Sequence, residues 1–313
     1  MKAVWWFRTI MMFVYLSLLL MAVGALVGFI FNSNFIYWSL AFLAISLFVC
    51  FFSYYNSKQM ALKANKVRII RREDNPRLYD MVAELAQKSG LPMPEVGISY
   101  TPVANAFATG RNPENAAVVA TSGILDLLPD DELRGVLAHE MSHVRNRDIL
   151  VMGVASAISI VISYVSQMAW YAAIFSRDSE NRGMIMLAAL AAQIVVPFAA
   201  LLIQLGISRN REYLADESGA RLINDPMALA RALQHLERQN DATVQSYTLE
   251  DMARKDRNTP DATLNICTNR NYAHMWISNP LKKKGILESM FSTHPSTESR
   301  VARLTELAKK MGQ

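Results

Sequence analysis

Long stretches of this chain carry no charge. No Asp, Glu, Lys or Arg occurs in residues 9–57, 149–176 or 183–208. Cysteine is nearly absent: only Cys50 and Cys267 occur, and Cys50 lies inside the first uncharged stretch. Such a pair cannot build a disulfide framework, which fits a reducing compartment. Histidine is scarce too, at five in 313 residues, so a patterned pair of histidines carries information. Internal repeats and low-complexity tracts are absent, which excludes repeat architectures. Outside the uncharged stretches remain about 200 residues of ordinary polar composition, enough for one sizeable core.

The first stretch is broken at Asn32-Ser33-Asn34 and divides into roughly 9–31 and 35–55. Each part is long enough to cross a hydrocarbon core of about 30 Å at about 1.5 Å per residue. Two more candidate spans lie at roughly 149–174 and 184–207. A cleaved signal peptide is the competing reading of the N-terminus. The run is too long for one, no A-x-A-like site follows it, and a second run comes at once. The basic excess, net +5 with a pI near 9.2, is concentrated after the second run, at Lys58, Lys63, Lys66, Arg68, Arg71 and Arg72. A basic stretch can mean nucleic acid, but beside a membrane exit it marks the cytoplasmic side. Arg145 and Arg147 precede the third run, and Arg209 and Arg211 follow the fourth. The intervening turns hold no positive excess: 32–34 is uncharged, and Arg177 and Arg182 balance Asp178 and Glu180. The sequence therefore predicts four crossings of a bilayer, both termini in the cytoplasm, and no nucleic-acid partner.

Residues 74–89 place Leu78, Met81, Val82 and Leu85 on one helical face, and Gly90, Pro92 and Pro94 end the helix. Short strands are predicted at 95–99, 104–109 and 116–121, the last two joined by Gly110-Arg-Asn-Pro-Glu-Asn115. A helix over 130–146 follows Pro129, with Asp131 and Glu132 at its positive end. Helices are also predicted over 209–223 and 226–239, and after Pro295 with Val301, Leu304 and Leu307 on one side. Residues 241–272 read as polar and irregular. In the uncharged runs, Gly24 and Gly28 form G-x-x-x-G, and Ser156, Ser159, Ser163 and Ser166 share a face. Both patterns read as close helix packing, the alternatives being a dimerisation face for the glycines and a polar cavity open to substrate for the serines.

His139-Glu140-Met141-Ser142-His143 is H-E-x-x-H, on the helix predicted over 130–146. Leu133, Val136, Leu137, Met141 and Val144 form an apolar stripe, and the two histidines lie one above the other at its margin. At i and i+4, both imidazoles can reach one tetrahedral ion at about 2.0–2.1 Å. Glu140 is turned about 100° from His139. It leans over the same site, placed to take a proton from an attacking water. An ordinary surface pair is the competing reading, and it suits His235 and His274, which lack any partner pattern. A catalytic zinc takes three protein ligands and keeps one position open. Glu212 and Asp216, i and i+4 on the helix over 209–223, offer one carboxylate for an ion and one to fix a histidine tautomer. Spacing alone equally allows two surface charges paired with Arg209 or Arg211.

Together these motifs resemble the HtpX family of membrane zinc metalloproteases, associated with heat shock and protein quality control and related to the CAAX-prenyl endoproteases. The resemblance runs nearly end to end. It includes an N-terminal hydrophobic pair, Asn105-Ala-Phe-Ala-Thr-Gly110, Ala138-His-Glu-Met-Ser-His143, a hydrophobic hairpin, Arg211-Glu-Tyr-Leu-Ala-Asp216 and Phe291-Ser-Thr-His-Pro-Ser296. H-E-x-x-H alone is shared by many enzymes, whereas its combination with E-x-x-x-D across a hydrophobic hairpin is far more specific. The resemblance implies that His139, His143 and Glu212 hold one Zn2+ per subunit, that Glu140 is the catalytic base, and that Asp216 supports the site from behind. It implies an α+β, mostly helical, polytopic membrane protein with about four transmembrane helices and a zincin-like catalytic domain. The expected organisation is a transmembrane hairpin over 1–57, catalytic residues over 58–148, a second hairpin over 149–207, and the rest of the catalytic domain over 208–313. The expected location is the inner (cytoplasmic) membrane, and the expected substrates are misfolded or damaged proteins, chiefly of the membrane.

Asn105, Ala106 and Phe107 belong to a candidate edge strand that could pair with an extended substrate, an ordinary buried hairpin being the alternative. His294, before Pro295, is a candidate oxyanion donor or a cap for the last helix. Two other functions fit the residues: a narrow-specificity protease acting on lipidated chains, and a non-catalytic scaffold with a closed, four-ligand zinc. If the helix of His143 runs on into the third run, the ion lies about 10 Å from the uncharged segment. The hairpin would then hold the site at the membrane surface.

Overall fold

The computed structural model describes residues 34–148, 182–253 and 295–313, together with the isolated positions 14, 17, 18, 21, 25, 167, 170 and 174. In chain order its elements are α1 (Phe35–Ala64), β1 (Val67–Ile69), α2 (Pro76–Ser89), β2 (Glu95–Ser99), β3 (Ala106–Gly110), β4 (Ala116–Thr121), α3 (Ser122–Leu127), α4 (Asp130–Asn146), α5 (Arg182–Ile223), α6 (Pro226–Ala253) and α7 (Thr297–Lys310). The chain divides into two compact units, Met1–Asn56 with Leu150–Ile207, and Ser57–Ile149 with Ser208–Gln313.

In the first unit the described residues belong mainly to the N-terminal parts of α1 and α5. Ile36, Leu40, Ile45, Phe48 and Phe51 of α1 are exposed, as are Leu190, Val195 and Phe198 of α5. So many exposed large apolar side chains mark a surface meant for something other than water. Counted over the described residues, no helix is long and apolar enough to cross a membrane. The expected spans 9–31 and 149–174 lie almost wholly outside the described residues, as do Gly24, Gly28 and the four serines of the third run.

The second unit is built on a four-stranded sheet of order β1-β2-β4-β3. Strands β2 and β4 are parallel, whereas β1–β2 and β3–β4 are antiparallel, with Phe107 opposite Val119. Central β4 is buried at every residue, which is why it reads as an unbroken small-apolar run rather than an alternating one. Helix α4 packs on β3 and β4, and also meets α2 and α6, while α7 packs on α6. The core joins Leu78, Val82 and Leu85 of α2 to Val96, Ile98, Val118 and Ala120 of the sheet. It continues through Leu133, Val136, Leu137 and Met141 of α4 to Leu229, Leu233 and Leu236 of α6 and Leu304 of α7. Each fully buried leucine contributes about 2 kcal/mol. Gly135 sets the approach of α4 to α6, because a Cβ there would lie 3.0 Å from the Leu229 nitrogen.

Local signals account for most boundaries. The Asn75 side chain accepts the Leu78 N–H and Pro76 opens α2, while Gly90 ends it at φ 65°. Strand β3 starts at Ala106 rather than at 104. Asn105 is held instead by Thr121, whose Oγ1 accepts its N–H at 2.8 Å. The reading of 241–272 as irregular is corrected for its first part, since α6 runs on to Ala253. Between Pro226 and Pro260 no glycine or proline interrupts it. Residues 254–272 lie outside the described residues.

Candidate metal centre

Helix α4 carries His139, Glu140 and His143, and its expected apolar stripe is buried throughout. It does not run on into the third uncharged run. Arg147 adopts the left-handed conformation (φ 56°, ψ 39°), and its N–H closes on the carbonyls of His143 and Val144. A non-glycine residue there costs on the order of 1 kcal/mol. The turn returns Asp148 to the helix it has just left. Asp148 Oδ2 accepts from His143 Nδ1 at 2.7 Å. Arg211 pairs with Asp148 in turn and donates to the Asn146 carbonyl at 2.9 Å. Asp148 was legible only as the last charge before an apolar run.

Helix α5 carries Glu212, Asp216 and Gly219 at i, i+4 and i+7, one face of a helix. That face lies against α4. A Cβ on Gly219 would fall 2.8 Å from the His139 nitrogen and 2.9 Å from the Ala138 carbonyl carbon. Asp216 Oδ1 accepts from His139 Nδ1 at 2.9 Å. Glu212 Oε1 is 3.6 Å from His143 Nε2, and its Oε2 is 3.7 Å from His139 Nε2. The two Nε2 atoms are 3.1 Å apart.

These distances bear on whether the residues fit a metal ion. Both Nδ1 atoms face carboxylates, which assigns the protons there and leaves both Nε2 lone pairs pointing inward. Two nitrogen lone pairs and a carboxylate then converge in a buried place. Without a cation that arrangement is repulsive. Ligand atoms of His139, His143 and Glu212 all lie within 4.8 Å of one another. Their separations of 3.1, 3.6 and 3.7 Å bracket the edge of about 3.3 Å expected of a tetrahedron with bonds of 2.0–2.1 Å. The three residues can hold a metal ion, and two imidazoles with one carboxylate suit zinc.

Burial and charge reinforce this state. Burial pushes the His139 pKa down to about 4, with Asp216 only partly opposing it, so the imidazole is neutral near pH 7. Burial alone would raise the Asp216 carboxyl. The Arg300 guanidinium outweighs it and, with His139, holds the group at about 2. Arg300 itself is raised above its ordinary value despite burial, by Asp216 first and then by Glu212 and Glu140. Its Nε lies 2.8 Å from Asp216 Oδ2 and its Nη2 2.6 Å from Oδ1, a bidentate fork. Glu140 is 5% exposed, on the same helix as both histidines.

Arg300 was missed in the sequence although a signal existed. It lies four residues before Leu304 and seven before Leu307, a charge inside the buried stripe of α7. Asn105, Ala106 and Phe107 are buried, and β3 is the terminal strand of the sheet. His235 pairs with Glu132 at 2.7 Å. His274 and His294 lie outside the described residues.

Residues 72–308 match the model of Peptidase family M48. A Protease HtpX homolog of Persephonella marina (strain DSM 14350 / EX-H1) is 44% identical over 263 residues, covering 84% of this chain and 85% of the relative. Those of Aquifex aeolicus (strain VF5) and Thermococcus kodakarensis are each 41% identical, over 94% and 100% of this chain and 90% and 99% of theirs. Among solved structures, the crystal structure of S. mikatae Ste24p is alike in fold, with a TM-score of 0.54 at 18% identity over 91% of this chain. The chain spans 62% of that protein's length. With a family match that takes in α4, the ligand-bearing turn of α5 and α7, and relatives alike over nearly their whole length, the chain belongs to peptidase family M48, among its HtpX proteases.

Proposed function

We propose that this chain is a zinc-dependent endopeptidase held in the membrane, acting on misfolded or damaged membrane proteins and on unfolded soluble ones. The observation that carries the reading is the convergence of His139 Nε2, His143 Nε2 and a Glu212 carboxylate oxygen, with Glu140 buried on the same helix. A zinc ion held there supplies a Lewis acid that activates water and polarises the scissile carbonyl. Glu140 accepts a proton from the attacking water and delivers it to the leaving amine. Asp216 and Asp148 keep each histidine in the tautomer that points Nε2 inward. Among the described residues the cluster holds three donors, which is one fewer than a closed structural zinc needs and favours catalysis. An extended substrate would align along β3, the terminal strand of the sheet, by main-chain hydrogen bonds. Since Asn105, Ala106 and Phe107 are buried, that edge has to be uncovered first.

Membrane attachment rests on the uncharged runs 9–31, 35–55, 149–174 and 184–207 and on the exposed apolar residues of α1 and α5. The basic residues flanking those runs favour the cytoplasmic face of the inner membrane for the catalytic unit and both termini. His294 is retained as a candidate oxyanion donor on sequence grounds. The test is zinc stoichiometry and chelator-sensitive cleavage of an unfolded soluble protein by the purified full-length chain. Glu140→Gln is expected to keep the metal and lose about 10²-fold or more of the rate. Wild-type turnover by Glu140→Gln overturns the reading.

A further inference from the structure

We propose that the C-terminal helix α7 is part of the metal centre, with Arg300 a positioning residue for it and Arg303 a second, weaker one. The proposal rests on the zinc-endopeptidase reading and deepens it. Arg300 is 1% exposed, in a stripe otherwise made of Leu304, Leu307 and Ala308. A guanidinium is costly to bury, so its place in that stripe needs a partner that repays desolvation. The partner is Asp216, gripped through both carboxylate oxygens. Asp216 Oδ1 also accepts from His139 Nδ1, so one oxygen joins the arginine of α7 to a ligand of α4. Arg300 Nη1 lies 3.7 Å from Glu212 Oε2, and Nη2 lies 3.5 Å from both ring nitrogens of His139. The guanidinium therefore lines the ligand cluster as well as its support.

A second contact repeats the grip one turn away. The Arg303 guanidinium carbon lies 3.6 Å above the Tyr213 ring, and Tyr213 is the neighbour of Glu212. Arg300 and Arg303 are three apart on α7, and Asp216 and Tyr213 are three apart on α5. One turn of each helix is thus matched to one turn of the other. The turn being held is the one that presents Glu212. Helix α7 sets where the third ligand stands by gripping Asp216, 84 residues before Arg300 in the chain.

The sign of the effect separates positioning from mere charge. A cation beside a metal site opposes metal binding, so an Arg300 that acted only as a charge would tighten zinc when removed. One that positions Asp216, His139 and Glu212 would loosen it. The experiment measures zinc affinity of the detergent-solubilised full-length chain by chelator competition, and the visible spectrum of its cobalt-substituted form. Arg300→Met is expected to weaken zinc about 10–100-fold and to shift the cobalt spectrum. Arg300→Lys keeps the charge without the fork and is expected to fall between. Arg303→Ala is expected to weaken zinc a few-fold. Leu307→Ala, on the same helix, is expected to lower the melting temperature while leaving zinc affinity and the cobalt spectrum as in wild type. Unchanged or tighter zinc in folded Arg300→Met overturns the proposal. If Arg300→Met does not fold, wild-type affinity in both Arg300→Lys and Arg303→Ala overturns it instead. A wild-type chain that binds no zinc sinks the endopeptidase reading itself, and this proposal with it.

Discussion

Gly219→Ala adds one methyl group where α5 crosses α4, and the consequences can be worked from the contact distances. The new Cβ would lie 2.8 Å from the His139 nitrogen and 3.0 Å from its Cα. Ordinary contact begins near 3.4 Å, so the helices must part by about 0.6 Å. These neighbours are backbone atoms inside a helix, and they cannot swing aside. Overpacking of this kind costs about 1–3 kcal/mol, against about 1 kcal/mol regained from helix propensity. The larger effect falls on the metal. Glu212 is on α5 and both histidines are on α4, so the displacement enters the ligand separations directly. Ligand distances tolerate about 0.2 Å, and zinc affinity is expected to drop about 10–100-fold, or about 1.4–2.7 kcal/mol. Gly206→Ala, on the same helix but with nothing within 4 Å of its Cβ, is the control, and it is expected to be neutral or slightly stabilising. Chelator competition on both variants reads the affinities, and thermal unfolding of the metal-free proteins reads the packing cost. A Gly219→Ala protein that binds zinc and cleaves like wild type would refute the idea that this crossing sets the ligand geometry.

Asp148→Asn replaces the carboxylate that faces His143 Nδ1. It is expected to weaken zinc about tenfold, read by the same competition, with Asp148→Ala weaker still. A saturable zinc site also predicts that about 100-fold excess over Kd stabilises the fold by about 2.7 kcal/mol, seen as a melting temperature that falls on chelation. Equal melting with and without chelator would count against it. In the metal-free protein, His139 is held at about 4 by burial, below its ordinary 6.5. Between those values the unfolded chain binds a proton that the folded chain does not, so stability rises as pH goes from about 4 to about 6.5. His139→Gln is expected to flatten that slope by about one proton, and identical slopes in the two proteins would show another group to be responsible.

The residues differ in how far their placement could be read in advance. His139, Glu140 and His143 were legible because i and i+4 spacing on one helix is a local property, and the apolar stripe beneath them states which way the helix faces. Glu212 and Asp216 were legible as a pair, for the same reason, while their division of labour came only from the family resemblance. In space, Asp216 meets Nδ1 of His139 and Glu212 faces the two Nε2 atoms. Gly219 carried a signal at i+7 from Glu212, yet a glycine in a helix reveals close approach only once its neighbour is known. The helix after 226 ran past the point where polarity suggested an end, because polar residues do not stop a helix and the next proline is distant.

By itself, then, the sequence determined the uncharged runs, the order of the second unit's elements except strand β1 and the short helix α3, and the placing of the H-E-x-x-H residues on one helix. Each depends on periodicity or composition within a few turns of chain. The predicted bounds of α4, 130–146, match the helix Asp130–Asn146, but tertiary structure alone showed what retains the left-handed turn at Arg147, namely the contacts of Asp148 and Arg211 on the far side of it. It alone decided that a buried arginine near the C-terminus holds a carboxylate 84 residues earlier. A charge costs free energy in a core unless a specific partner meets it, and spacing along the chain does not name that partner.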